Sequence, residues 1–147
     1  MEDKDLIRYS RHIMLPEIDI EGQISISSSK IAVVGLGGLG CSASVYLAAS
    51  GVGELNLIDN DLIDLSNLQR QILFSEADLN KKKVETAKIK LSSLNEDIKV
   101  NSSNLRLNKS NIRKILEGSE IVLDCTDNFE TRKVINAYCL KEKKILI

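Results

Sequence analysis

Lys30-Ile-Ala-Val-Val-Gly35-Leu-Gly37-Gly38-Leu-Gly40 carries the strongest local signal in the chain. A short, β-branched apolar run passes directly into a GxGGxG turn, and the residues after it, Leu39 to Ser50, read as a helix. Backbone amides in such a turn approach a phosphate with no side chains in the way, and the helix N-terminus that follows favours negative charge. At the end of the next apolar run, 24 residues after Gly35, stands Asp59, placed to accept hydrogen bonds from a ribose diol. Gly35, Gly37, Gly38, Gly40 and Asp59 therefore predict an adenine-nucleotide site. The constellation alone does not separate NAD from ATP.

Lys30 to Val34, Glu54 to Asp59, Ile98 to Ser102, Glu120 to Asp124 and Lys144 to Ile147 read as strands. Between them lie helical stretches at Leu39 to Ser50, Lys81 to Leu94, Asn111 to Leu116 and Asn128 to Lys141. Strands alternating with helices predict a Rossmann-like α/β fold, a doubly wound and mostly parallel sheet with helices on both faces. One N-terminal helix, Asp3 to Met14, precedes it, and Pro16 ends that helix. No linker or repeat interrupts residues 1–147, so a single domain is expected. The last strand has no helix after it to cover the sheet, so the domain is expected to be the N-terminal part of a larger one.

Composition narrows the function. The 20 basic and 21 acidic residues of the 147 give a net charge of −1, so no excess of cations exists to neutralise a nucleic-acid backbone. Aromatic residues make up 3%, too few for base-stacking platforms. The 23 uncharged residues between Lys30 and Glu54 would reach across a bilayer, but six are glycine and three are serine, so no membrane span is expected. Cys41, Cys125 and Cys139 form no CxxC pair and point to a reducing cytoplasm. Cys41 falls in the first turn of a helix, where the dipole lowers a thiol pKa, although small packed residues are common there. His12 is the only histidine, which excludes a histidine triad or a multi-histidine metal site, and on a basic helix face with Arg8 and Arg11 it reads as surface.

Three further stretches carry chemistry. In Ser66-Asn67-Leu68-Gln69-Arg70-Gln71, Ser66 and Gln69 have capping-box spacing. Arg70 follows the loop at the carboxyl edge of the second strand, where open parallel sheets bind ligands, and its fork suits phosphate oxygens. Lys81, Lys82 and Lys83 stand in the first turn of a helix with Asn80 as the expected cap; they oppose the helix dipole unless an anion lies near. Asp127, with Glu130 three residues on, reads either as a helix N-cap or as a carboxylate that holds magnesium beside a phosphate site. The two readings are compatible.

RYSRH at 8–12, GLGGLG at 35–40, the Asp59 strand end, SNLQRQ at 66–71 and DCTDN at 124–128 occur in an order and spacing that resembles the ThiF/MoeB/HesA family, bacterial relatives of the ubiquitin-activating enzymes. The resemblance runs over essentially all 147 residues. It implies a magnesium-ATP-dependent adenylyltransferase that activates the C-terminal glycine carboxylate of a ubiquitin-like sulfur carrier, of the kind serving thiamin or molybdopterin synthesis, and releases pyrophosphate. Carried over residue by residue, it makes Gly38 the nucleotide-loop glycine and Asp59 the ribose ligand. Asn67, Arg70 and Lys83 become phosphate ligands, and Asp127, beside Asn128, the magnesium carboxylate. Arg11 would reach the nucleotide of the neighbouring subunit in a homodimer. His12 stands where the family commonly has Gln, and Lys82 where Pro often precedes the lysine. Complete family members also carry two CxxC zinc pairs, whose ligands this chain does not contain. Two other readings compete: an NAD-binding dehydrogenase domain, which shares the glycine turn and Asp59 but gives no account of SNLQRQ or Arg11, and a non-catalytic interaction domain derived from the activating fold.

Overall fold

The computed structural model describes residues 1–147. Five parallel strands, β1 (Lys30–Val34), β2 (Glu54–Asp59), β3 (Lys99–Asn104), β4 (Ile121–Asp124) and β5 (Ile145–Leu146), form one sheet in the order β3-β2-β1-β4-β5. Crossovers run through α4 (Gly38–Ala49), α5 (Lys83–Leu94), α6 (Ile112–Leu116) and α7 (Phe129–Glu142). Strand alternation sends Ile31, Val33, Leu55, Leu57 and Val100 to one face, where they pack on Cys41 and Ala48 of α4 and Val84, Ala87 and Leu91 of α5. Ala32, Val34, Ile58 and Val122 point the other way, onto Ile112 and Leu116 of α6 and Ile135, Tyr138 and Cys139 of α7. The sheet is doubly wound, as the alternation of elements predicts. No helix is long and apolar enough to cross a membrane.

The N-terminal region departs from the single helix expected over Asp3 to Met14. It forms α1 (Asp3–Arg8), α2 (Ser10–Ile13) and a further helix, α3 (Asp19–Ser28). The break falls at Tyr9, whose backbone leaves helical geometry at φ −101° and ψ 15° while its ring turns inward to 4% exposure. The sequence of α3, DIEGQISISS, mixes Gly, Ser and β-branched residues that favour helix weakly, and its one buried side chain is a glutamine. It has no apolar stripe to reveal it. Strand β3 runs two residues past the expected end because its polar residues pair with β2 all the way to Asn104 opposite Asp59.

Candidate functional site

Because all five strands run the same way, the loops after β1, β2, β3 and β4 meet at one edge. They enclose an open cavity of about 590 Å³. Gly35, Gly37, Gly38, Asp59, Asn67, Arg70, Lys83, Asp127 and Asn128 all line it. Two expected residues do not: Arg11 is exposed on α2, outside the cavity, and Gly40 is buried beneath it.

Gly35 turns the chain at φ +91°. Gly40 lies so close under that turn that a Cβ would fall 1.8 Å from the Gly35 carbonyl oxygen. Its role is to let α4 press against the turn. Asp59 holds the turn from the side: one carboxylate oxygen accepts from the Leu36 N–H at 2.6 Å and the other from the Asp61 N–H at 2.7 Å. Before any ligand arrives, this carboxylate already shapes the loop that would receive one.

The SNLQRQ stretch is organised from Asp64, not from Ser66. Asp64 Oδ1 accepts from the Ser66 N–H at 2.8 Å and caps the single turn Leu65–Asn67, which replaces the expected Ser66–Gln69 capping box. A carboxylate two residues upstream reached the free amide first, and it is held below the usual carboxylate range by the Ser66 hydroxyl and amide. Asn67 Oδ1 then accepts from Gln71 Nε2 at 2.9 Å and Arg70 Nη2 at 3.3 Å. Arg70 also donates to the Ser66 carbonyl at 3.2 Å, and its aliphatic stem lies over Gly38. All its acceptors are neutral.

Lys83 arrives from the opposite side. The segment 61–63 bridges to 80–83 through Ile63 N–H to Lys81 O at 2.9 Å and Lys83 N–H to Asp61 O at 3.1 Å. Asn80, expected as the cap of this helix, instead turns through φ +65° to make that bridge, and Lys82 takes the N-cap position. Lys81 and Lys82 are exposed, whereas Lys83 is buried and donates from Nζ to Asp61 Oδ2 at 3.0 Å.

At the end of β4, Asn128, not Asp127, caps α7: its Oδ1 accepts from the Thr131 N–H at 2.9 Å. Asn128 already offers an amide oxygen in the cap position, so Asp127 is left exposed at the cavity, and its carboxylate takes no hydrogen bond or ion pair. Arg106 donates to Asn128 Oδ1 at 3.1 Å, and Arg132 Nε donates to Thr126 O at 2.9 Å. Sequence reasoning missed both arginines, which line the cavity with Leu105 and Leu107. Ending β3 at Ser102 hid that Arg106 sits just past the carboxyl edge. The signal for Arg132 was its place one turn after Asn128.

Arg70, Lys83, Arg106 and Arg132 thus face Asp59, Asp61 and Asp127 across the cavity. Asp59 is taken up by backbone amides and Asp61 by Lys83. A polyanion would find four cations and the N-terminus of a three-turn helix. No thiol is activated. Burial pushes Cys41 up to about 12, overriding the helix dipole, and raises Cys125 and Cys139 as well.

An open parallel sheet with a glycine turn and a basic cleft at its carboxyl edge defines the class of α/β domains that bind phosphorylated ligands at that edge. Residues 9–147 match the ThiF family. The chain belongs to that family. Among curated relatives, the molybdopterin-synthase adenylyltransferase of Haemophilus influenzae is 46% identical over 147 residues, which are 100% of this chain and 60% of that protein. The sulfur carrier protein ThiS adenylyltransferase of Escherichia coli is 44% identical over 140 residues, 95% of this chain and 56% of that one. The chain thus spans less than two thirds of the length of these relatives. Among solved structures, E. coli MccB with ATP matches at a TM-score of 0.85 and 35% identity over 95% of this chain and 43% of its own. E. coli tRNA N6-threonylcarbamoyladenosine dehydratase, TcdA, in complex with ATP matches at 0.93 and 25% identity over 99% and 59%.

Proposed function

We propose that residues 1–147 are the ATP-binding, N-terminal part of an adenylyltransferase domain that activates the C-terminal glycine carboxylate of a ubiquitin-like sulfur carrier in the cytoplasm. The observation that carries this reading is the convergence of Asn67, Arg70, Lys83 and the start of α4 on one cavity whose remaining free carboxylate is Asp127. A dinucleotide's two-phosphate bridge has no use for so many cations. Relatives at 44–46% identity include adenylyltransferases named for molybdopterin synthase and for the sulfur carrier protein ThiS, beside a SAMP-activating enzyme E1 at 44%, and the first two favour a sulfur carrier as the acceptor.

In this reading the adenosine ribose lies against Asp59 and the triphosphate runs from Gly37 and Gly38 toward Arg70 and Lys83, with Asn67 beside it. One carboxylate oxygen of the carrier forms a bond to the α-phosphorus as the bond to pyrophosphate breaks, giving an acyl adenylate. Two anions must be brought together for that attack, and Arg70, Lys83 and Arg11 of a second copy offset their repulsion and the charge on departing pyrophosphate. This step requires no covalent bond to a residue of the chain. The chain contains no cluster of three metal-binding side chains. Magnesium commonly takes one or two carboxylates and completes its shell with substrate phosphates and water, which Asp127 fits. Bound there, it would supply further charge compensation for the phosphates.

Carrier-dependent ATP–pyrophosphate exchange by the complete protein tests the reading, with small carriers of the same organism that end in Gly-Gly as acceptors. Exchange that requires the carrier supports it. Absence of exchange together with NAD binding in the cavity would return the chain to the dehydrogenases, and nucleotide binding without exchange would make it an interaction domain.

A further inference from the structure

Arg11 stands on α2, a helix of four residues with no buried side chain. A single turn cannot fix a long side chain by its own hydrogen bonds. Tyr9, two residues before it, and His12, directly after it, are fixed instead. The Tyr9 hydroxyl accepts from Asn95 Nδ2 at 2.9 Å, and the fully buried Asn95 also donates to the Ala48 carbonyl at 2.9 Å. His12 stacks on Tyr9 with ring centroids 6.1 Å apart and planes 20° from parallel. His12 Nδ1 lies 2.9 Å from Gln23 Oε1, and the fully buried Gln23 donates from Nε2 to the Ser50 carbonyl at 2.9 Å. Because that carbonyl can only accept, Gln23 must turn its oxygen toward His12, and His12 must carry a hydrogen on Nδ1.

Ala48 and Ser50 lie at the C-terminal end of α4, the helix that opens at Gly38 on the cavity. Tyr9 sits directly on that end: a Cβ on Gly51 would fall 2.3 Å from its hydroxyl. The RYSRH segment is therefore docked through Tyr9 and His12 onto the far end of the nucleotide helix, while Arg8, Ser10 and Arg11 face out. Arg8 donates to the Leu94 carbonyl at 3.4 Å, which leaves Arg11 as the arginine of the segment with no partner in its own chain.

We propose that Tyr9 and His12 are positioning residues that aim Arg11 away from its own cavity and at the nucleotide phosphates of a second copy of the chain. This rests on the reading of Arg11 given above. The test uses the complete protein and carrier-dependent ATP–pyrophosphate exchange. His12→Ala lowers exchange by roughly tenfold or more, the size of effect expected when a reacting-site group is misplaced by about an ångström. His12→Gln, whose amide donates to the same oxygen, keeps most of it. AMP binding to each subunit's own cavity is unchanged in both. Mixing His12→Ala with Lys83→Ala subunits restores exchange, because the His12→Ala subunit keeps Lys83 and receives a well-held Arg11 from its partner. Gln23→Met cuts the same brace from the other side and decides the matter if His12→Ala does not fold. Recovery with Arg11→Ala and Lys83→Ala subunits, but none with His12→Ala and Lys83→Ala, would overturn this proposal and leave Arg11 in place. Failure of the Arg11 mixture, with subunit exchange shown separately, would remove the role of Arg11 itself. Full exchange in both His12→Ala and Gln23→Met would show that Arg11 needs no brace.

Discussion

Lys83 Nζ lies 3.0 Å from Asp61 Oδ2, with 5% of the lysine side chain exposed against 61% of the aspartate's. The cation reaches the cavity from below, out of water, while its counter-ion stays solvated. Removing either partner therefore has unequal consequences. Lys83→Met leaves an aspartate that water can satisfy, and stability should stay near wild type while ATP binding falls. Asp61→Ala strands a buried ammonium and should cost at least about 1–3 kcal/mol, the penalty for an unsatisfied buried polar group, which is larger for a charged one. Urea unfolding and nucleotide titration of the two variants check this; equal stability losses would show that the pair is not asymmetric.

Arg70 spends its hydrogen bonds on neutral acceptors and keeps its charge uncommitted. Arg70→Ala should weaken ATP roughly 10- to 100-fold, the range of a charged hydrogen bond, and AMP much less. Titration calorimetry with both nucleotides measures the ratio. Equal losses would place Arg70 away from the β- and γ-phosphates.

Asn128 takes the helix cap that Asp127 was expected to provide, which leaves the Asp127 carboxylate uncommitted for the proposed magnesium. Asn128→Ala removes the cap of α7 and should cost about 1 kcal/mol of stability. Asp127→Asn should leave stability unchanged and abolish the magnesium dependence of ATP binding, since an amide is a much poorer ligand for a hard cation. Thermal melts and titrations with and without magnesium separate the outcomes; a destabilised Asp127→Asn that keeps its magnesium response would make Asp127 structural.

Asp78, buried between Lys90, Lys81 and Ser75, is held well below the usual carboxylate range, chiefly by its hydrogen bond to Lys90. A depressed folded-state pKa stabilises the protein above the unfolded value of about 3.9 and loses that contribution as pH falls through the folded value. Asp78→Asn should therefore melt below wild type at pH 7, with the gap closing progressively below about pH 4. A gap that is constant with pH would mean that the ion pair contributes through packing alone.

The strands and crossover helices were legible because alternation between apolar runs and helical spacing reports burial directly, as in Ile31, Val33 and Leu57. The glycine turn, Asp59 and Arg70 were legible as members of one site because parallel topology forces every loop after a strand to the same edge, whereas Asn67 and Lys83 were joined to it only by the family resemblance. What stayed hidden was held together by polar contacts between residues far apart in the chain. Tyr9 reaches Asn95, and Gln23 reaches Ser50, and neither pair leaves a periodic trace. Capping errors had a local cause: where two acceptors compete for one helix start, as Asp64 with Ser66 or Asn128 with Asp127, spacing alone does not choose between them.

The strand order has a consequence for the route by which the site assembles. Pairing β1 with β2 and β2 with β3 closes chain segments built around one helix each, but β1 meets β4, Ile31 opposite Ile121, across roughly ninety residues of chain. That pairing carries the largest loop-closure entropy in the sheet, and contacts of such long range are the slow ones to form. The glycine turn, Arg70 and Lys83 belong to the local half, whereas Asp127 and Asn128 arrive with β4. In a refolding experiment, the half of the cleft that holds the glycine turn, Arg70 and Lys83 is therefore expected to gain amide protection first, and the side that holds Asp127 and Asn128 to complete it.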